Sequence, residues 1–183
     1  MSKLHFSVKK ILSIFSVLSI FLLSSCTETP EKFFDITVLN TNVINDFASP
    51  DLARHIDDEA KEYPNIPSSK KKGDEAVTTV KNKILYLEQA LEKVKKISAS
   101  GDEEKEIKAL STALYEMAIP VYKNEYLAYA NLCDQKGSQE AKDAIIKDID
   151  QKYAATFEQQ YTELMEKGKA YAAANNIPVN WGR

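Results

Sequence analysis

Few side chains in this 183-residue chain stand at spacings that chemistry uses. Asp51, His55 and Glu59 are four residues apart, which puts one imidazole and two carboxylates on a single helical face. Such a row can hold a metal weakly, and it is equally an exposed row of ion pairs. A di-iron bundle centre needs a Glu-x-x-His pair from each of two helices. His55 is the only histidine beyond the N-terminal His5, so that centre is excluded. A Gly-rich phosphate loop, a Gly-x-Ser-x-Gly elbow and a His-Glu-x-x-His helix are all absent from the sequence. Carboxylates are spread along every polar stretch, and no pair stands out as acid and base. The expectation is a non-enzymatic protein with no catalytic residue, no metal and no cofactor.

The remaining chemistry-bearing group is tyrosine, with nine residues, all beyond residue 60. Tyr115, Tyr122, Tyr126 and Tyr129 follow one another at intervals of seven, four and three, which aligns them on one helical face beside an apolar stripe. Tyr153, Tyr161 and Tyr171 repeat the pattern further on. Apolar rings with polar tips suit a partner-binding surface or an aromatic ligand groove. The boundary of an ordinary helical bundle has the same composition, with half-buried rings and hydroxyls reaching water or a carboxylate. Tyr115, Tyr122, Tyr126 and Tyr129 are thus the candidate interaction surface.

The N-terminus carries a different signal. Lys3, Lys9 and Lys10 form a basic start without an acidic residue, and Ile11 to Leu23 is an uncharged apolar run. At roughly 13 residues that run has signal-peptide length and falls short of the ~20 residues of a membrane-spanning helix. Leu23-Ser24-Ser25-Cys26 closes it. These residues resemble the bacterial lipobox, an aliphatic residue and two small residues before a cysteine. The resemblance covers the first 26 residues alone. It implies cleavage before Cys26, a diacylglycerol on the Cys26 thiol and an acylated new amine, palmitate being a typical chain. Two or three acyl chains anchor stably where one holds only marginally, each buried methylene adding ~0.8 kcal/mol. An ordinary signal peptide or an uncleaved anchor is the alternative. The implied location is the bacterial cell envelope. Thr27 after the cysteine fits the outer membrane by the sorting rule of enteric bacteria, and Glu28 and Glu31 loosely resemble a surface-export pattern, so the leaflet stays open.

Charge and cysteine content narrow the partners. The chain has 24 basic and 27 acidic residues, and the first 25 residues contain three lysines and no acid, leaving 21 against 27. A mature domain of net −6, whose only arginines are Arg54 and Arg183, is a poor nucleic-acid binder, since phosphate contacts need clustered Lys and Arg. With Cys26 lipidated, Cys133 has no partner for an intramolecular disulfide. Beside Leu132 at the end of a helical pattern it fits burial as a small hydrophobe; a dimer link or a reactive thiol is the alternative.

The elements that must position these residues are helical. A first helix, interrupted at Pro50, is expected over 33–63, from the spacing of Ile36, Leu39, Val43, Phe47, Leu52, Ile56, Ala60 and Tyr63. Pro50 predicts a kink, or a break with Ser49 as N-cap and Pro50 at the first helical position. A second helix over 74–98 carries the seam Val77, Val80, Ile84, Leu87, Leu91 and Val94, with Asp74 placed to cap it and Glu75 set against the helix dipole. A third runs over 102–133 with Ile107, Leu110, Leu114, Met117 and Val121 inward and a kink at Pro120. The fourth covers 138–175 through Ile146, Ile149, Tyr153, Phe157, Leu164 and Tyr171, ending at Asn175-Asn176. Gly73, Gly101 and Gly137 mark the breaks, and Trp181 should bring the tail back onto the bundle.

The expected fold class is therefore all-α, a single antiparallel four-helix bundle-like domain with kinked first and third helices. Its divisions are a signal peptide over 1–25, a tether over 26–32, the bundle over 33–176 and a tail over 177–183. Lys70, Lys71 and Lys72 form a loop that either touches anionic headgroups or is simply solvated. The expected function is a membrane-anchored envelope lipoprotein, held by lipid at Cys26, that presents a helical surface to another envelope protein or a host protein. A carrier with a Tyr-lined cavity between the kinked helices is the alternative.

Overall fold

The computed structural model describes residues 28–181; Cys26 and the signal-like segment lie outside the described residues. Among the described residues the fold is all-α, with five helices and no strand. They are α1 Pro30–Thr37, α2 Pro50–Glu59, α3 Glu75–Lys96, α4 over 102–134 and α5 over 139–174. A 3-10 turn, Leu39–Ile44, follows α1, and another, Pro67–Ser69, lies between α2 and α3.

The expected first rod over 33–63 is corrected. Two short helices and a 3-10 turn stand in its place, and α1 starts three residues earlier than expected. Thr29 accepts the Lys32 N–H at 3.2 Å while Pro30 takes the first helical position, where its missing N–H is harmless. Phe33 and Phe34 are buried, each adding about 1.5–3 kcal/mol of burial energy. At Pro50 the chain takes a break: Ser49 Oγ accepts the Leu52 N–H at 3.2 Å and α2 begins afresh.

α3, α4 and α5 are successive antiparallel neighbours. At one end Lys108 reaches the Ile97 carbonyl at 2.7 Å, Lys167 pairs with Glu106 at 2.8 Å, and Tyr171 donates to Glu104 at 3.0 Å. The Phe33 ring lies 5.3 Å from Tyr171, so α1 shares this end. At the opposite end Asp134 meets the start of α3, and Lys136 pairs with Glu62 at 3.2 Å. Gly168 lies mid-helix in α5 because α1 crosses there: a Cβ would stand 2.6 Å from Val38 Cγ1. The tail folds back, with Trp181 edge-on to Phe34 at 5.9 Å and Lys169 over its ring.

α4 remains helical through Pro120. Pro120 offers no N–H to the preceding turn, and directly after it the helix widens into a π turn, Tyr122–Tyr126, before resuming over Leu127–Asp134. A second π turn, Asp150–Ala154, interrupts α5. Phe47 lies within 6.3 Å of the rings of Tyr122, Tyr126 and Tyr153, and within 4.8 Å of Phe157. Both π turns therefore border one aromatic cluster.

Candidate functional site

The tyrosine stripe is internal. Tyr115, Tyr122, Tyr126 and Tyr129 are 0%, 1%, 1% and 4% exposed, which corrects their assignment as an interaction surface. The cause is the segment between α1 and α2, which folds across that face of α4. Tyr115 donates its hydroxyl to the Asn40 carbonyl at 2.9 Å, and Tyr126 Oη accepts the Ala48 N–H at 3.0 Å. Ala48 has a φ of 59°, a strained conformation for a residue with a Cβ, and the Tyr126 bond helps to hold it. Tyr122 Oη has no hydrogen-bond partner among the described residues. Burial holds all four phenols well above the ordinary tyrosine range.

Only Tyr129 also borders open space. It lines a groove of about 570 Å³ between α2 and the first turns of α5. Ala48, Pro50, Ala53 and Ile146 complete the apolar lining, and Arg54, Gln139, Asp143, Lys147 and Asp150 form an exposed rim. The break at Pro50 makes this space, because the restart of the helix offsets α2 from the segment before it. A Tyr-lined cavity between kinks at Pro50 and Pro120 is thus reduced to a surface groove with one tyrosine.

At the groove's inner edge lies a polar cluster. Lys142, whose side chain is only 11% exposed, pairs with Asp57 at 2.5 Å. The Cys133 thiol lies beside Asp57 and the Tyr129 hydroxyl. Lys142 holds the Asp57 carboxyl below its ordinary range. Burial, reinforced by Asp57, pushes the Cys133 thiol up to about 12. A thiol kept in its protonated form is a poor nucleophile and a poor metal ligand. Cys133 is buried and free, in keeping with the hydrophobe reading of the sequence.

The remaining sequence candidates do not converge. Asp51 pairs with Arg54 at 2.9 Å, and among the described residues no group of three or more His, Cys, Asp or Glu side chains is placed to hold a metal ion. Sequence reasoning missed the groove because Arg54, Asp57, Lys142 and Lys147 come from two helices with no shared motif. The one available signal was Ser49-Pro50, which placed the helix break correctly. No protein-family model matches this chain, and neither the curated proteins nor the solved structures contain a match to it.

Proposed function

We propose that this protein is a membrane-anchored envelope lipoprotein, non-enzymatic, whose helical domain presents the α2–α5 groove to a protein partner in the envelope or on a host. The observation that carries the anchoring half is the adjacency of Cys26 and α1. Only Thr27, Glu28 and Thr29 separate that cysteine from Pro30, a reach of ~10 Å even when fully extended. With Phe33 and Phe34 buried, a lipid on Cys26 would hold the whole domain against the membrane. This tether is shorter than the seven residues expected from the pattern alone.

The interaction half rests on the groove's construction. An apolar floor inside a rim of mixed charge is the layout of a polar-rimmed protein contact. The neutral Cys133 thiol and the mutually compensated Asp57 and Lys142 supply neither nucleophile nor free base, which favours binding over catalysis. A small-ligand carrier is the second reading, favoured by one observation: about 570 Å³ falls within the usual range of ligand pockets.

Membrane fractionation of cells carrying Cys26→Ala tests the anchor, with release into the soluble fraction as the expected outcome. Retention in the membrane refutes lipidation. A photo-crosslinking residue in place of Lys147 should yield one discrete protein adduct in cells. A co-purifying small molecule seen by native mass spectrometry, with no adduct, would favour the carrier reading instead.

A further inference from the structure

We infer that the α2–α3 loop, residues 61–73, is a second docking surface, which takes an acidic protein segment bearing an apolar side chain at the end of the domain farthest from the membrane. This inference rests on the anchored reading above. α4 acts as the measuring rod. Glu104, in its first turn, is bonded to Tyr171 and through that ring adjoins Phe33 of α1, which follows the anchor. Asp134, in its last turn, is bonded to the start of α3 directly after the loop. Thirty residues at 1.5 Å each separate the two, about 45 Å. On the anchored reading, the loop lies at the end of α4 opposite the one that adjoins α1.

The loop is built rather than slack. Ser69 Oγ accepts the Tyr63 N–H at 2.8 Å and lies 2.7 Å from the Ile66 carbonyl that closes the turn. Glu62 accepts the Lys71 N–H at 2.9 Å while paired with Lys136. Glu75 accepts the Lys72, Gly73 and Asp74 N–H groups at 2.8, 3.0 and 3.3 Å. Led by the Lys72 bond, these contacts hold the Glu75 carboxyl down to about 2. Gly73 turns the chain with a φ of 94°, a conformation that L side chains rarely adopt.

This bonding leaves the loop mainly with positive charge to offer, the exposed Asp74 carboxylate beside Lys72 being the exception. Glu62, Glu75 and Asp134 are occupied by backbone amides or by Lys136, whereas Lys70, Lys71 and Lys72 carry no ion pair among the described residues. Beside them Tyr63 and Ile66 are 51% and 50% exposed on a loop that is otherwise fixed. They line a cleft of about 580 Å³ with Pro64, Pro67 and Lys136. An exposed aromatic and an aliphatic side chain held in a cleft that Lys70 also lines, with Lys71 and Lys72 next in the chain, complement carboxylates next to an apolar anchor. A concave cleft suits a polypeptide side chain better than a flat lipid surface.

The test is fluorescence anisotropy of the detergent-purified full chain with a labelled glutamate–tyrosine copolymer at ~0.15 M salt, where screening beyond ~8 Å removes non-specific attraction. Saturable binding is expected. Lys70→Gln, Lys71→Gln and Lys72→Gln together should weaken it about tenfold, and Tyr63→Ala with Ile66→Ala about fivefold. The charge-matched set Lys93→Gln, Lys95→Gln and Lys96→Gln, at the anchor end, should change it less than twofold. Equal loss in both lysine sets, or no loss in the loop set, overturns the proposal. So does preferential, Lys70–Lys72-dependent binding to vesicles of phosphatidylglycerol and phosphatidylcholine. Because binding is read in detergent, it fails or stands apart from the anchor, which the fractionation of Cys26→Ala reads separately.

Discussion

The start of α3 is capped from 58 residues away, and removing that cap gives the sharpest test of the structure. Asp134 accepts the Ala76 N–H at 3.1 Å and the Val77 N–H at 3.0 Å, whereas Asp74, the cap expected from sequence, makes no side-chain cap bond. Hydrogen bonds to a charged acceptor are worth about 1.5–3 kcal/mol each, and a cap with its dipole contribution about 1–2 kcal/mol. The two bonds share one carboxylate, so Asp134→Ala should cost about 2–4 kcal/mol rather than their sum. Asp134→Asn keeps one acceptor and should cost roughly half as much. Asp74→Ala, which removes no cap bond, should stay within about 0.5 kcal/mol. At about 2–4 °C per kcal/mol for a domain of this size, the Asp134→Ala midpoint should fall by roughly 4–16 °C. Urea denaturation followed by circular dichroism gives the energies, and hydrogen exchange at the Ala76 and Val77 amides locates the effect. An Asp74→Ala variant as damaged as Asp134→Ala, or unchanged protection at those amides, would refute the tertiary cap.

Three further outcomes follow from the buried polar groups. Tyr126→Phe leaves the Ala48 N–H unpaired in the core and should destabilise by about 1–3 kcal/mol, while Tyr122→Phe removes a hydroxyl that has no partner and should be neutral or stabilising in the same urea melts. On the alkaline side, Cys133 and the phenols of Tyr115, Tyr122, Tyr126 and Tyr129 are acids whose protons the fold retains. Their contribution is complete below the unfolded values of about 9 for the thiol and 10 for phenols, and it fades as pH rises above them. Phenolate absorbance from these four rings should therefore appear together with unfolding, and its appearance while the circular dichroism is still native would count against their burial. On the acid side the sign reverses. Lys142 depresses the Asp57 carboxyl, so its contribution is complete above the ordinary carboxylate value and declines as pH falls through the folded one. Asp57→Asn should flatten the loss of stability below about pH 4, and an unchanged acid limb would remove the pair from the account.

The fold class was legible because α3, α4 and α5 carry uninterrupted apolar stripes, a local signal that survives without knowledge of the partner helix. The region over 33–63 defeated the same reasoning. Ile36, Leu39, Val43 and Phe47 keep helical spacing across a 3-10 turn, yet only Phe47 of the four is buried, and the side chains that go inside are Phe33, Phe34, Val38 and Ile44, because a spacing of three or four does not distinguish one long rod from short turns. The Ser49-Pro50 pair announced the break but not its consequence, which is that the detached segment lies over the tyrosine face of α4. Caps were legible only where they are local. Ser49 acts within three residues, whereas Thr29, equally local, precedes the helix start expected at residue 33, Asp134 caps α3 through the tertiary fold, and the positive φ that ends α4 falls on Lys136 instead of the neighbouring Gly137.

The same asymmetry governs the candidate sites. A tyrosine stripe is a pattern of residue type, and residue type alone cannot say which side of a helix another segment will cover. Loop residues 61–73 carried the opposite ambiguity, since three lysines after two prolines read as solvated chain. What turns them into a candidate surface is bonding that spacing does not encode: Glu62 held by Lys136, Ser69 closing on Tyr63, and Glu75 gathering three amides. These bonds occupy Glu62 and Glu75 and fix the backbone, so Tyr63 and Ile66 stay exposed without a collapse that would hide them. A Ser69→Ala substitution separates the two descriptions. It should leave global stability within about 0.5 kcal/mol, as surface changes usually do, yet weaken copolymer binding several-fold by loosening the cleft. If binding is unaffected while the loop amides of Tyr63 and Ser69 lose exchange protection, the lysines act as diffuse charge, and the preformed cleft is not what recognises the acidic segment.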